Sequence, residues 1–376
     1  MISFWEKQSF INSDFLIVGS GITGLSTALS LRERFPKSEI TILERGVFPS
    51  GASTKNAGFA CIGSLTELLS DLENIGDDEI LALIESRRKG LEKLRKRLGD
   101  KRLDYKQYGG YELITENELY AVDKLESMNT KLFPLFGEPV FSLKNALIDD
   151  FGFNKKLIKA LLFNPFEGQI DTGRMMRSLL QLAVSKLINI YTGVTVKSIE
   201  DEGEVVQIQV EDNINEDVFF QAQKVIVCTN AFTKKLLHNV NIIPGRGQVL
   251  ATAPIKSLKF KGTFHFEKGF YYFRNFGKRV IFGGGRNLDI KGEATTQIGN
   301  TDLVINTLKE KLQQIILPNQ AFTIEHTWAG IMAFGAHKNP IIKHISKNVV
   351  VAARLGGMGV AIGTNVGEQA SSLIAQ

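Results

Sequence analysis

The sequence predicts an α/β protein in which a parallel-sheet, nucleotide-binding domain is interrupted twice by a second, α+β domain with a mixed or antiparallel sheet and helices. Three observations carry this. A strand, glycine turn, helix and second strand occupy the first 44 residues, about the size of one βαβ unit. Short apolar runs of the kind that parallel sheets bury recur near residues 224 and 349. The stretches between them read as helical or antiparallel.

Each element follows from its pattern. Residues 14–19 (DFLIVG) form a buried parallel strand ending in glycine, and 22–35 a helix whose apolar side is Leu25, Ala28, Leu29 and Leu31. Residues 39–44 (EITILE) form a second buried strand. Residues 49–63 are a loop rich in Gly, Ser and Asn; 65–98 are largely helical, 109–115 a short strand and 117–132 a helix. Beyond Asp171 come a helix (172–186), strand character over 188–199, and a hairpin of 205–210 with 218–222 around a polar turn. Residues 224–228 are again a buried strand. The chain then turns β-rich, with strands at 248–252, 269–274 and 279–282, followed by an amphipathic helix at 301–315. A last buried strand (347–352), a glycine turn and a closing helix to residue 374 complete it. The nucleotide-binding domain is expected over 1–80, 165–240 and 327–376, the second domain over 81–164 and 241–326.

Composition narrows the class. A chain of 376 residues suits two or three folding units, and 43% apolar with 23% charged residues argues against disorder, collagen-like repeats or a membrane bundle. Cys61 and Cys228 are too few for a disulfide framework or a zinc site. The N-terminus lacks a signal peptide's basic segment, and no window reaches the roughly 18 apolar residues of a spanning helix. A soluble cytoplasmic protein without stable membrane insertion is expected. Of the +5 net charge, much sits in 85–106, with ten Lys or Arg against four acids. That run reads as a solvated helix face, so no nucleic-acid partner is expected.

The first chemistry-bearing motif is Gly19-Ser20-Gly21-Ile22-Thr23-Gly24. It follows a strand and opens a helix, the context a dinucleotide fingerprint requires. Gly19 permits the tight turn, Gly21 lets backbone approach a pyrophosphate, and Gly24 lets helix and strand pack closely. The helix N-terminus, including Ile22 and Thr23, offers N–H groups and partial positive charge to phosphates. Glu44, twenty residues after Gly24 and next to Arg45, suits ribose hydroxyls and repels a 2′-phosphate, which disfavours NADP. The second motif is the small-residue loop 51–58 (GASTKNAG), whose backbone can lie against a flat ring or a phosphate.

With these residues in view the chain resembles the D-amino-acid-oxidase-like family of FAD-dependent oxidoreductases, which includes glycine and sarcosine oxidases and γ-glutamylputrescine oxidase. The resemblance rests on GSGITGLSTALSL, ITILERG, GASTKNAGF, KVIVCTNAF, PGRGQVLAT, GFYYFRNFGKRVIFGGGR, HTWAGIMAF and VVVAARLGGMGVAIGTNVGEQAS. It implies a Rossmann-like domain holding FAD, non-covalently and extended. Gly19, Gly21 and Gly24 would face the pyrophosphate and Glu44 and Arg45 the adenosine side. Ser53, Thr54, Asn56 and Ala57 would lie along pyrophosphate and flavin. Gly356, Gly357, Met358, Gly359 and Val360 would pass the flavin ring, their N–H groups stabilising negative charge on it.

The chemistry implied is hydride transfer from a small amine or amino-acid-like substrate to flavin N5. Positioning groups matter more than a base. In the strand 269–274, period-2 alternation puts Phe270, Tyr272 and Arg274 on one face, which the resemblance turns towards the substrate. Tyr272 would orient the substrate and Arg274 would bind an anionic group bidentately; structural ion pairing and sheet packing are their plainer roles. Arg246 and Arg286 rank behind Arg274.

The chain also departs from its relatives. Glycine oxidases carry an Arg after the W-x-G block, where this chain has Ile331 and Met332. Sarcosine oxidases carry a Lys after the final glycine turn, where this chain has Ala361, and a Lys over the flavin, where it has Val280-Ile281-Phe282. Thr229-Asn230-Ala231 and the YYFR strand lean towards the γ-glutamylputrescine-oxidase branch and an amine substrate. The acceptor is oxygen or another oxidant. Oxidation of a 2-hydroxy acid, a flavin-bearing binding protein and an NAD-dependent dehydrogenase stand as alternatives. Cys61 and Cys228 read as packing thiols, Trp328 as packing near the flavin domain, and His265, His326 and His337 show no metal spacing, so no metal is expected.

Overall fold

The computed structural model describes residues 2–211 and 218–376; the polar turn expected between 210 and 218 lies mostly outside the described residues. Five parallel strands form the heart of the first sheet, in the spatial order Val349–Ala353, Val218–Val227, Asn12–Val18, Ile40–Glu44, Asn189–Thr192. Four apolar residues in a row, Phe15 to Val18, are buried, as a strand covered on both faces requires. Ile341–His344 adds an antiparallel edge. Val206–Glu211 pairs antiparallel with Val218–Val227 on one side and with Thr195–Asp201 on the other. The run expected as one strand at 188–199 is therefore two, broken at Gly193, and the halves take different partners.

Helix Ile22–Arg34 is buried through its first ten residues. It lies among Leu83, Leu91 and Leu94 of helix Asp77–Leu98 and Ile362 and Val366 of helix Gly359–Ile374, in one apolar cluster. Asn365 Nδ2 donates to Ser86 Oγ at 2.8 Å and joins the two outer helices. Helix Asp77–Leu98 runs unbroken through the expected boundary at 81, which is corrected: Leu83, Leu91 and Leu94 join the cluster on the parallel sheet, while Ile80 and Ile84 join a second cluster with Ile114 and Leu162 of the second sheet. Of the helix's cations, Lys89 pairs with Glu85 and Arg97 with Glu33, while Arg87 is buried and donates to the Ile62 carbonyl.

The second sheet has eight strands, in the order Ile324–Phe334, Ile243–Thr252, Arg279–Gly284, Tyr271–Phe276, Thr263–Phe266, Gly110–Thr115, Ile158–Asn164, Ser142–Leu143. All pairs are antiparallel except Thr263–Phe266 with Gly110–Thr115. Ile324–Phe334 hydrogen-bonds along the whole of Ile243–Thr252, so the expected boundary at 327 is also corrected, since it falls inside one strand. The period-2 reading of 269–274 holds from Tyr271, where the strand begins; Phe270 precedes it and packs in part against the cluster of Tyr271 and Phe273. Tyr271 and Phe273 enter an aromatic core with Phe264, Phe266 and Phe282, Phe264 and Phe273 stacking at 4.6 Å. Each buried ring contributes roughly 1.5–3 kcal/mol, and Tyr272 and Arg274 take the opposite face. The helix expected at 117–132 is a short helical turn followed by Leu125–Phe136.

Candidate functional site

A cavity of about 510 Å³ lies between the carboxyl edge of the parallel sheet and the face of the second sheet that carries Tyr272. Gly19, Gly21, Ile22, Thr23, Glu44 and Arg45 line it from the first domain, as do Ser53, Asn56 and Ala57 of the loop after Ile40–Glu44. Gly356, Gly357, Met358, Gly359 and Val360 line it from the C-terminal turn. Two expected residues stand behind the wall. A Cβ at Gly24 would run into the carbonyl of Gly19, so Gly24 serves the helix–strand approach. Thr54 is corrected from cofactor contact to loop closure: its Oγ1 donates to the carbonyls of Pro49 and Gly51 at 2.9 and 3.2 Å.

The cavity offers donors where a dinucleotide needs them. Helix Ile22–Arg34 begins at Gly21 without a side-chain cap, so its first turn keeps N–H groups free. Thr23 Oγ1 is buried there with no partner, an orphan a ligand oxygen would satisfy. Ser53 Oγ accepts from the Ile22 N–H at 3.0 Å and ties the loop to that helix end. Helix Gly359–Ile374 also starts uncapped at the cavity, after Gly356 and Gly357 at φ +58° and +85°. Glu44 is buried and already accepts from Ser20 N–H and Oγ, Gly46 N–H and Ser50 Oγ. Arg45 lies over the Phe232 ring at 3.7 Å.

The second sheet holds the loop by its carbonyls. Trp328 Nε1 donates to Lys55 O at 2.9 Å, and Arg274 Nε donates to Ala57 O. Asn56 folds back, its Nδ2 on Ser53 O at 2.8 Å and its Oδ1 accepting from Gly58 N–H and Thr172 Oγ1 at 2.9 Å each. Arg274 therefore stands behind the loop, outside the cavity lining. The expectation that it meets a substrate anion is corrected: Ala57 and Gly58 lie between. Burial pushes its guanidinium down to about 10, with Asp171 and Asp104 opposing.

Tyr272 lines the cavity as expected, and burial pushes its phenol up to about 12, so it stays protonated as a hydrogen-bond donor. The cavity is also lined by residues that sequence reasoning ranked low or missed: His265, Arg286, Phe334, Glu67 and Lys338. Burial drives His265 down to about 4 against the pull of Glu67, so the imidazole is neutral at pH 7. Burial would raise Glu67, but Lys338 at 2.7 Å and Arg87 outweigh it and hold the carboxyl at about 2. Arg286 stacks on Phe334 at 4.1 Å. Cys61 also lines the cavity, its thiol pushed up first by burial and then by Glu167 and Glu67. No cluster of three metal-ligating side chains exists among the described residues, and no helix among them is long and apolar enough to cross a membrane.

Residues 14–373 match the family described as DAO, FAD dependent oxidoreductase. This chain belongs to that family. Its cofactor is FAD and its chemistry redox, which the two uncapped helix ends and the orphaned Thr23 hydroxyl fit. The bifunctional protein ThiO/ThiG of Synechocystis is 27% identical to this chain over 255 residues, 64% of this chain and 33% of that protein. The chain thus matches about a third of that relative's length. The fold is that of glycine oxidase from Geobacillus kaustophilus, with TM-score 0.78, 20% identity and 97% and 95% of the two chains covered. It is equally that of L-proline dehydrogenase from P. horikoshii, with TM-score 0.77, 21% identity and coverage of 97% and 93%.

Proposed function

We propose that this chain oxidises the C–N bond of a small amino acid or N-substituted amino acid whose carboxylate Arg286 holds. One observation carries the reading. Arg286 is half-buried in the cavity wall and has no ion-pair partner among the described residues. The nearby acid, Glu293, is committed to Arg246 at 2.7 and 2.9 Å. A stacked guanidinium with free N–H groups suits a planar carboxylate.

Bound FAD supplies the acceptor for the hydride that leaves the carbon next to nitrogen. The chain's own residues prepare the substrate. Tyr272 donates a hydrogen bond from a phenol that does not ionise at working pH. Arg286, Lys338 and Lys268 outnumber Glu67 along the wall, and a cationic surround disfavours the ammonium form. The amine is then held neutral, with the lone pair that oxidation requires. Glycine oxidase and L-proline dehydrogenase, on the same fold, support a substrate that carries both nitrogen and carboxylate. The neutral imidazole of His265 also suits the hydroxyl proton of a 2-hydroxy acid, which makes CH–OH oxidation the second reading.

The test is the flavin spectrum recorded anaerobically with amino acids, N-methyl and cyclic amino acids, the corresponding decarboxylated amines and 2-hydroxy acids. Amino acids should bleach it, and decarboxylated amines should not. Equal bleaching by decarboxylated amines removes the Arg286 assignment; bleaching by hydroxy acids alone overturns C–N oxidation. Admitting oxygen afterwards separates an oxidase, which recolours at once, from a dehydrogenase that passes electrons elsewhere.

A further inference from the structure

A second cleft of about 670 Å³ opens on the far side of the flavin loop. Ala57 lines the cofactor cavity and Arg274, bonded to its carbonyl, lines the cleft, so this loop is the wall between them. Two buried polar side chains in the cleft have unused hydrogen-bonding groups. Arg274 is 3% exposed; its Nε is used, but its terminal nitrogens donate to no protein acceptor among the described residues and no carboxylate pairs with them. Gln169 is 6% exposed and its side-chain amide makes no hydrogen bond, its Oε1 fully buried. With Oε1 buried, Nε2, which also carries no hydrogen bond, is the donor Gln169 can offer the cleft.

The nearby carboxylates are committed elsewhere. Asp171 Oδ1 accepts from the Arg174 N–H at 2.9 Å, and Asp104 pairs with Lys106 at 3.2 Å. Arg279 pairs with Glu325. Among the lining charges this leaves Arg274, Lys261 and Lys278 against Asp171. Asp171 and Asp104 act on the Arg274 charge only through space; neither meets its terminal N–H groups, which a bound anion would satisfy.

We infer that this cleft binds a small, doubly charged oxyanion, held by the terminal N–H groups of Arg274 and the amide of Gln169, with Lys261 and Lys278 at the exposed edge. Arg274 also holds Ala57, so occupancy bears on the flavin loop, and flavin and anion affinities are reciprocally linked.

Inorganic phosphate is the probe. It is titrated into the FAD-loaded protein, whose own pyrophosphate site is filled, at ionic strength held constant with chloride. Heat and the flavin's visible spectrum are followed together. One saturable site is expected, with a small spectral shift. Lys278→Glu lies on the surface outside the cofactor cavity; it should weaken binding about tenfold, the worth of one charged hydrogen bond, and leave flavin content unchanged. Gln169→Leu should do the same, and Arg274→Gln should abolish saturation. Malonate binding in place of phosphate supports the site and assigns it to dicarboxylates. Absence of saturable binding of either ion, or binding that Lys278→Glu and Gln169→Leu leave unaltered, overturns the inference.

Discussion

Arg274 stands on the second sheet and Ala57 in the loop that follows the strand Ile40–Glu44, and the Nε of the first donates to the carbonyl of the second. With Trp328 on Lys55, this makes the second domain a clamp on two carbonyls of the loop that lines the cofactor cavity. The second sheet therefore sets the cofactor site as well as its own face.

Removing one jaw of that clamp should loosen FAD and leave substrate recognition intact. Arg274→Met strands a buried carbonyl, a cost of about 1–3 kcal/mol, and Trp328→Phe should act in the same direction. We expect a lower melting temperature and faster flavin loss on dilution, with the substrate concentration for half-bleaching unchanged in the protein that keeps its flavin. A selective rise in that concentration for carboxylate substrates would return Arg274 to the substrate.

Arg286 should show the reverse pattern. Arg286→Met should raise the concentration of amino acid needed for half-bleaching about a hundredfold, as losing a charged, bidentate contact does. Melting temperature and flavin content should hold. Equal loss with decarboxylated amines would mean that Arg286 shapes the cavity without reading the carboxylate.

Gly24 allows no side chain, because its Cβ would meet the Gly19 carbonyl. Gly24→Ala should push helix Ile22–Arg34 off the first strand, at about 1–3 kcal/mol, and yield protein with little bound flavin by its absorbance after purification. Full flavin content would show that the turn adjusts.

Glu167 makes a pH-dependent prediction. It is buried and accepts from Ile62 and Gly63 N–H groups at 2.9 and 3.3 Å. Burial outweighs those bonds and raises it from 4.5 to about 8. Between those values the folded state keeps a proton that the unfolded state has released, so stability falls as pH rises through that window. Glu167→Gln keeps the acceptor and removes the slope. Relative to the parent it should gain of order 2–4 kcal/mol between about pH 5 and pH 9 in denaturant titrations. A difference constant with pH would mean Glu167 is already ionised in the fold.

Lys338 should control the acid limb of activity. Lys338→Met removes the cation that holds Glu67 near 2, leaving burial opposed by Arg87 at 3.8 Å. The Glu67 carboxyl should then protonate at higher pH, and the rate of flavin reduction should begin to fall at a correspondingly higher pH. An unmoved profile would place Glu67 outside the reacting cavity's electrostatics.

What the sequence determined by itself is what local pattern encodes. The strand, glycine turn and helix from residue 12 to 34, the acidic strand end at Glu44, the second parallel strands near 224 and 349 and the last glycine turn all follow from periodicity and short-range sterics. These were enough to place the cofactor cavity and the two glycine turns, the acidic strand end and the small-residue loop that line its cofactor side. Period-2 alternation also put Tyr272 and Arg274 on one face correctly. It could not say what stands in front of that face. Only the tertiary structure laid Ala57 and Gly58 over Arg274 while leaving Tyr272 open. Only tertiary structure committed Glu293 to Arg246, which left Arg286 free, and brought Lys338 to Glu67 across 271 positions of chain. Whether a charged side chain is a binding group or a brace depends on which partners long-range packing delivers to it, and no local window contains them.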